Sequence, residues 1–223
     1  MNFVEYPDRD LLMLGLADTL TGELADCLRR NDSATFSVPG GTTPGPVFDV
    51  LAAQALDWGR VAVVLNDERW LPEDSPRSNT RLLRERLLTG PAAAARLIPM
   101  RADTDTPEEA LDMLCDGLAP HLPISVLLLG MGADMHTASL FPGAENLAAA
   151  LDDRAPPLMA MRAAGADEPR VTLTAPVLKA AMTTHILITG AEKRAAIERA
   201  AHLPPDQAPV RIVLGNATVH WAE

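Results

Sequence analysis

Residues 124–139 read ISVLLLGMGADMHTAS. The run ISVLLLG at 124–130 is apolar without alternation, as a strand buried on both faces would be. It stops at Gly130 and Gly132, and Asp134 and His136 follow almost at once. A buried strand that runs into a glycine turn carrying polar side chains is the unit from which parallel sheets build their sites. In such sheets ligands bind beyond the carboxyl ends of the strands.

The same pattern recurs outward from this segment. ATFSV (34–38) and RVAVVL (60–65) read as further strands, and PVFDVLAAQ (46–54) and SNTRLLRERLL (78–88) as helices. Residues 10–30 carry leucines at helical spacing, and PEEALDMLCDGLA (107–119) opens with Pro and two acids, as helix starts prefer. Beyond the opening stretch, LMAMR (158–162), RVTLT (170–174), HILITG (185–190) and VRIVLG (210–215) read as strands, with helices over 175–181 and 191–201. Strand–helix alternation of this kind predicts an α/β fold: a mostly parallel sheet with helices on both faces, in one domain spanning 1–223. The stretch 142–169 is irregular; it reads as a loop beside the site or, in its Ala-rich part, as a helix.

Composition narrows the function. Lys and Arg number 19 against 30 Asp and Glu, a formal charge of −11. Such a surface argues against nucleic acid or anionic membranes as partners, and makes any local cluster of cations informative. No apolar run approaches the roughly 20 residues of a membrane span, and the acidic N-terminus lacks the features of a signal peptide. Cys27 and Cys115 stand apart, which fits two reduced thiols in a cytoplasmic protein better than a disulfide or zinc site.

Four loops that follow strands carry candidate chemistry. SVPGGTTPG (37–45) places Gly40, Gly41 and Thr42 at a helix start, a geometry that gathers backbone N–H groups around a phosphate but also serves as an ordinary turn. No Lys follows at Walker spacing. NDERW (66–70) offers Asp67 as a proton shuttle and Arg69 as an anion ligand, or else a surface turn with an ion pair. Arg170 opens RVTLT, and Lys193 sits in the first turn of a helix, where the dipole disfavours a cation unless an anion is nearby. GMGADM (130–135) is a partial GxGxxG with no acid at the expected later strand end, so a nicotinamide cofactor is rejected. His136 is the one histidine of five with an acid, Asp134, placed to orient it. Its reference pKa near 6.5 suits general base work. No second His or Cys stands at ligand spacing, so no metal is expected.

Taken together, GGTTP, NDER with SNT behind it, GMGADMHTASLFPG, PRVTLT and GAEKR resemble the 6-phosphogluconolactonase family from about Thr35 to Trp221. The resemblance implies a Rossmann-like α/β fold shared with glucosamine-6-phosphate deaminase and ribose-5-phosphate isomerase. It implies a cofactor-free hydrolysis of a small sugar-phosphate lactone, by a monomer or small homo-oligomer. By similarity His136 is the general base, Gly41, Thr42, Arg170 and Lys193 bind the 6-phosphate, and Asp67 and Arg69 lie beside the sugar. Backbone N–H groups near Gly132 or Gly41 are candidates for the oxyanion site.

Two rival readings stay open: a sugar-phosphate isomerase or deaminase, and a non-catalytic sugar-phosphate sensor. Deaminases carry a glutamate five residues past the loop histidine; here that position is Phe141. Met135 also departs from the family, which usually has Gly there. If the backbone at Met135 needs φ > 0, the side chain costs on the order of 1 kcal/mol.

Overall fold

Every residue of Ala34–Val38 is buried, and so is every residue of Val61–Leu65. Successive strand side chains point to opposite faces, so such runs form only where both faces of a sheet are covered. The computed structural model, which describes residues 1–163 and 168–223, is built on that principle. Its elements begin with β1 (Asn2–Glu5), α1 (Arg9–Arg30), β2 (Ala34–Val38), α2 (Gly45–Ala52), β3 (Val61–Leu65), β4 (Asp67–Arg69), α3 (Asn79–Arg86) and β5 (Arg96–Ile98). There follow α4 (Leu111–Leu118), β6 (Val126–Gly130), α5 (Leu147–Leu151), β7 (Leu158–Met161), β8 (Arg170–Leu173) and α6 (Ala175–Lys179). The chain continues through β9 (Thr183–Thr189), α7 (Ala191–Ala200), α8 (Arg211–Leu214) and β10 (Thr218–Ala222).

Seven strands form one parallel sheet in the order β1-β10-β9-β6-β2-β3-β5, flanked by helices. The chain builds from β2 outward through β3 to β5. It then crosses to the other side of β2 for β6 and proceeds to β9 and β10. The strand order therefore reverses between β2 and β6, which opens a crevice beyond their carboxyl ends. The α1 helix buries Leu12, Leu16, Leu20, Leu24 and Leu28 along one stripe, and Asp8 caps its start by accepting from the Leu11 N–H at 2.8 Å.

Three expectations need correction. LMAMR and RVTLT are strands, but they leave the main sheet: β4, β8 and β7 form a separate antiparallel sheet in that order. The DER segment is accordingly a strand rather than a loop. VRIVLG is helical, because Val210, Val213 and Leu214 bury at helical spacing and turn bonds such as Val213 N to Val210 O close it. The last strand is instead TVHWA, parallel to β9. A first strand, β1, was not expected; it pairs parallel with β10 at the sheet edge. Within 142–169, the Ala-rich part is α5, and residues 164–167 lie outside the described residues. Among the described residues, no helix is long and apolar enough to cross a membrane.

Two histidines left unassigned by sequence are buried side by side on β9 and β10. Tyr6 Oη lies 2.9 Å from His220 Nδ1, His220 Nε2 lies 3.0 Å from His185 Nδ1, and His185 Nε2 lies 2.8 Å from a Glu23 carboxylate oxygen. The chain of bonds ties α1 to the two strands. It is satisfied with one proton on each ring, His185 donating to Glu23, His220 to His185 and Tyr6 to His220.

Candidate active site

A cleft of about 290 Å³ occupies the switch-point crevice. Gly40, Gly41 and Thr42 reach it from the end of β2, His136 from the loop after β6, and Lys193 from the first turn of α7. Asp67, Arg69 and Arg170 reach it from the small antiparallel sheet. Eight of the nine residues expected in the site thus line one cleft, and the ninth, Asp134, stands against His136.

The histidine is held by its own loop. Asp134 Oδ1 accepts from the His136 backbone N–H at 3.2 Å and lies 2.5 Å from His136 Nδ1. With Nδ1 engaged, Nε2 is the nitrogen left to act. Gly132 makes this possible, because a Cβ there would sit 2.3 Å from the ring and 2.4 Å from the Asp134 carboxylate. The Gly132 N–H already donates to the His136 carbonyl at 3.1 Å, so that donor is spent on the loop. Phe141 packs its ring 4.3 Å from the His136 ring, and the Arg170 guanidinium lies 5.3 Å from the centre of the same phenyl. An apolar ring therefore packs against both the histidine and the arginine.

Met135 has φ of 66°, in the left-handed region. Its N–H donates to Gly132 O at 2.9 Å, its carbonyl accepts from Val210 N at 3.1 Å, and its side chain packs on the core. The strain, of order 1 kcal/mol, is offset by those contacts, and the His136–Asp134 pair is formed regardless.

The DER segment is aimed by Asn66. Its side chain accepts from Ser37 Oγ at 2.7 Å and donates to Leu128 O at 2.8 Å, locking the ends of β2, β3 and β6 together. Gly40 allows the glycine loop to press on Asn79, whose Oδ1 would lie 2.0 Å from a Cβ at that position. Gly41 adopts φ of 84°, which favours glycine.

Sequence reasoning missed three acceptors and donors behind these side chains. Glu68 is buried and receives four hydrogen bonds: from Arg69 N (2.7 Å), Ser78 Oγ (3.2 Å), Asn79 N (2.9 Å) and Thr80 N (2.7 Å). It satisfies the start of α3 as a helix-terminal carboxylate does, and an acid ahead of an SNT helix start is the signal that could have found it. Ser139 Oγ donates to Asp67 Oδ2 at 2.5 Å, across 72 residues of sequence. Glu168, also buried, faces Arg77, Arg69 and Arg170. Nothing local in the sequence marks the last two. Among the described residues, no group of His, Cys, Asp and Glu is arranged to hold a metal ion.

The topology and cleft define a Rossmann-like α/β protein with a histidine-bearing, cation-lined site at the strand-order reversal. The chain belongs to the glucosamine-6-phosphate isomerases/6-phosphogluconolactonase family, whose model matches residues 7–221. It is 38% identical to the 6-phosphogluconolactonase of Mesorhizobium japonicum, with 99% of this chain and 95% of that protein covered. It is also 38% identical to the 6-phosphogluconolactonase of Pseudomonas aeruginosa, over 93% and 89% of the two chains. The crystal structure of a 6-phosphogluconolactonase from Shewanella baltica superposes with a TM-score of 0.96 at 29% identity, covering 100% of this chain and 98% of that one. That of the Thermotoga maritima 6-phosphogluconolactonase gives 0.82 at 26%, covering 99% and 97%.

Proposed function

We propose that this protein hydrolyses 6-phospho-D-glucono-1,5-lactone to 6-phospho-D-gluconate, the lactonase step of the oxidative pentose phosphate pathway, with His136 as general base. The observation that carries the reading is the 2.5 Å pairing of His136 Nδ1 with Asp134 in a cleft that also presents Arg69, Arg170 and Lys193. In the proposed reaction Nε2 takes a proton from water as its oxygen bonds to C1 of the lactone. The tetrahedral intermediate then collapses, the C1–ring oxygen bond breaks, and the imidazolium returns its proton to the leaving oxygen. Asp134 stabilises the charge that develops on the ring between these steps. Arg170, Lys193 and the Gly41–Thr42 loop hold the phosphate, and that remote binding places C1 against the histidine. A lactone is an activated ester, so the reading requires no metal or organic cofactor.

Phe141 against the His136 ring favours hydrolysis over amino-sugar deamination, because it removes the carboxylate that would support ring opening. The reading extends to a chain acting as one unit over residues 1–223 in the cytoplasm, on a small molecule rather than nucleic acid, as a monomer or small homo-oligomer. The net charge of −11 supports the exclusion of nucleic acid. The test supplies freshly generated lactone and follows 6-phosphogluconate with its dehydrogenase. Wild type should exceed the spontaneous rate, and His136→Ala should remove nearly all of the excess. Ammonia release from glucosamine 6-phosphate, or binding without turnover of either compound, would replace the reading.

A further inference from the structure

Behind the cleft lies a carboxylate that the proposed chemistry does not use. The Glu168 side chain is 6% exposed and faces three guanidinium groups. Arg77 Nη2 approaches it at 2.8 Å, Arg69 Nε at 3.9 Å and Arg170 Nη2 at 3.9 Å. The latter two arginines line the cleft; Arg77 does not.

The contacts close a ring. Glu168 is anchored by Arg77, the Arg77 carbonyl accepts from Arg69 Nη1 at 2.7 Å, and Arg69 turns its Nε back toward Glu168. Arg77 itself precedes the Ser78–Thr80 segment that Glu68 pins with three hydrogen bonds, so the anchor is attached to a firmly held loop. Arg170 stands between two carboxylates, 3.7 Å from Asp67 and 3.9 Å from Glu168, with its Nε buried and without a hydrogen-bond partner. Charge attraction at these distances is little screened by solvent, because the acids are buried. The guanidinium thus has its place set from two sides, and at 3.7 and 3.9 Å neither carboxylate takes a hydrogen bond from its Nη groups.

From this geometry we infer that Glu168 is a positioning residue: it sets Arg170, with Arg69 beside it, for the phosphorylated end of the substrate and takes no part in the reacting step. The inference rests on the proposed lactonase reading and deepens it. It predicts an asymmetry. Loss of the Glu168 charge weakens capture of the anion, while the His136 loop works as before.

The experiment compares wild type, Glu168→Gln and Glu168→Asp on the phosphorylated lactone and on unphosphorylated glucono-1,5-lactone. Calorimetry of 6-phosphogluconate binding runs alongside. Glu168→Gln should raise KM for the phosphorylated lactone at least about tenfold, the scale of a lost charge-assisted contact, with kcat within about twofold. Its kcat/KM on the unphosphorylated lactone should not change, and Glu168→Asp should recover part of the loss. A fall in KM would show that Glu168 competes with the phosphate, and equal losses on both lactones would show a general structural role; either overturns the inference. If Glu168→Gln does not fold, Arg77→Met removes the anchor from outside the cleft and must give the same asymmetry or the inference fails. Should wild type fail to hydrolyse the lactone while 6-phosphogluconate binding still weakens in Glu168→Gln, the lactonase reading falls and the positioning role stands. Normal KM and binding in Glu168→Gln, with active wild type, would remove the positioning role and leave the lactonase reading in place.

Discussion

Gly132→Ala adds a single methyl group and touches no residue that would contact substrate except through the His136 loop, yet it should nearly silence the enzyme. An alanine Cβ would lie 2.3 Å from His136 Cε1 and Nδ1 and 2.4 Å from Asp134 Oδ1, whereas ordinary contact begins at 3.4 Å. Ring and carboxylate must each retreat by about 1 Å, and both belong to the bond that orients the proposed base. A displacement of that size in a reacting group costs about 10²-fold in rate, or about 2.7 kcal/mol in the barrier. The proposed phosphate-binding side is untouched, so KM should hold within about threefold. The loop is partly exposed and the backbone is not left-handed at Gly132, so thermal stability should fall by less than about 1 kcal/mol. The dehydrogenase-coupled assay on fresh lactone reads kcat and KM, and a melting curve checks the fold. A variant that keeps kcat within about threefold while folded would mean that the Asp134–His136 bond does not set the rate, and the argument for the oriented base would collapse.

Two further perturbations probe the scaffold. Glu68→Gln leaves a buried amide NH2 facing donors that need an acceptor, and should cost about 3 kcal/mol of stability in urea unfolding; a loss below about 1 kcal/mol would refute its role as the pin of α3. Acid should loosen the α1–β9–β10 contact. Burial and the neighbouring His185 depress the His220 pKa from 6.5 to about 4. For Glu23, burial raises the pKa, but hydrogen bonds from His185 and Thr183 outweigh it and the net shift is downward. Between pH 6.5 and about 4 the unfolded chain takes up a proton at residue 220 that the folded chain refuses, so stability present above 6.5 is lost as pH falls. The loss is about 2 kcal/mol by pH 5 and about 3 kcal/mol by pH 4, with Glu23 adding to it in the carboxylate range. Urea midpoints measured from pH 7 to 4 should follow that slope, and His220→Phe should flatten it; an unchanged midpoint at pH 5 would refute the account.

What the sequence made legible depended on how far apart the partners were. Asp134 and His136 are two residues apart, so their pairing was readable from one loop, and the glycines around them announced a turn. Runs such as VAVVL declared strands covered on both faces because burial leaves no alternation to read. The same lack of alternation misled at VRIVLG, where the apolar spacing fits a helix turn as well as a strand, and only the company of Pro209 and the later TVHWA decides between them. Neither sheet membership nor register is a local property. RVTLT reads as a strand, but its departure to an antiparallel sheet depends on pairing with DER, which lies about a hundred residues earlier.

That departure is what assembles the site. The parallel sheet alone would present the glycine loop, His136 and Lys193. It would lack Asp67, Arg69 and Arg170, which all come from β4 and β8 and are set opposite one another by the Asp67–Thr172 and Arg69–Arg170 register. A one-residue slip of β4 against β8 would turn Asp67 and Arg69 to the face opposite Arg170, since side chains alternate along a strand. Asn66 prevents the slip: its side chain bonds to both neighbouring strand ends, and its carbonyl accepts from Leu173 N at 2.9 Å, the first rung beyond the Asp67–Thr172 pair. Asn66, the first letter of NDER, is therefore the residue that joins the two sheets at the point where Asp67, Arg69 and Arg170 are brought to the cleft.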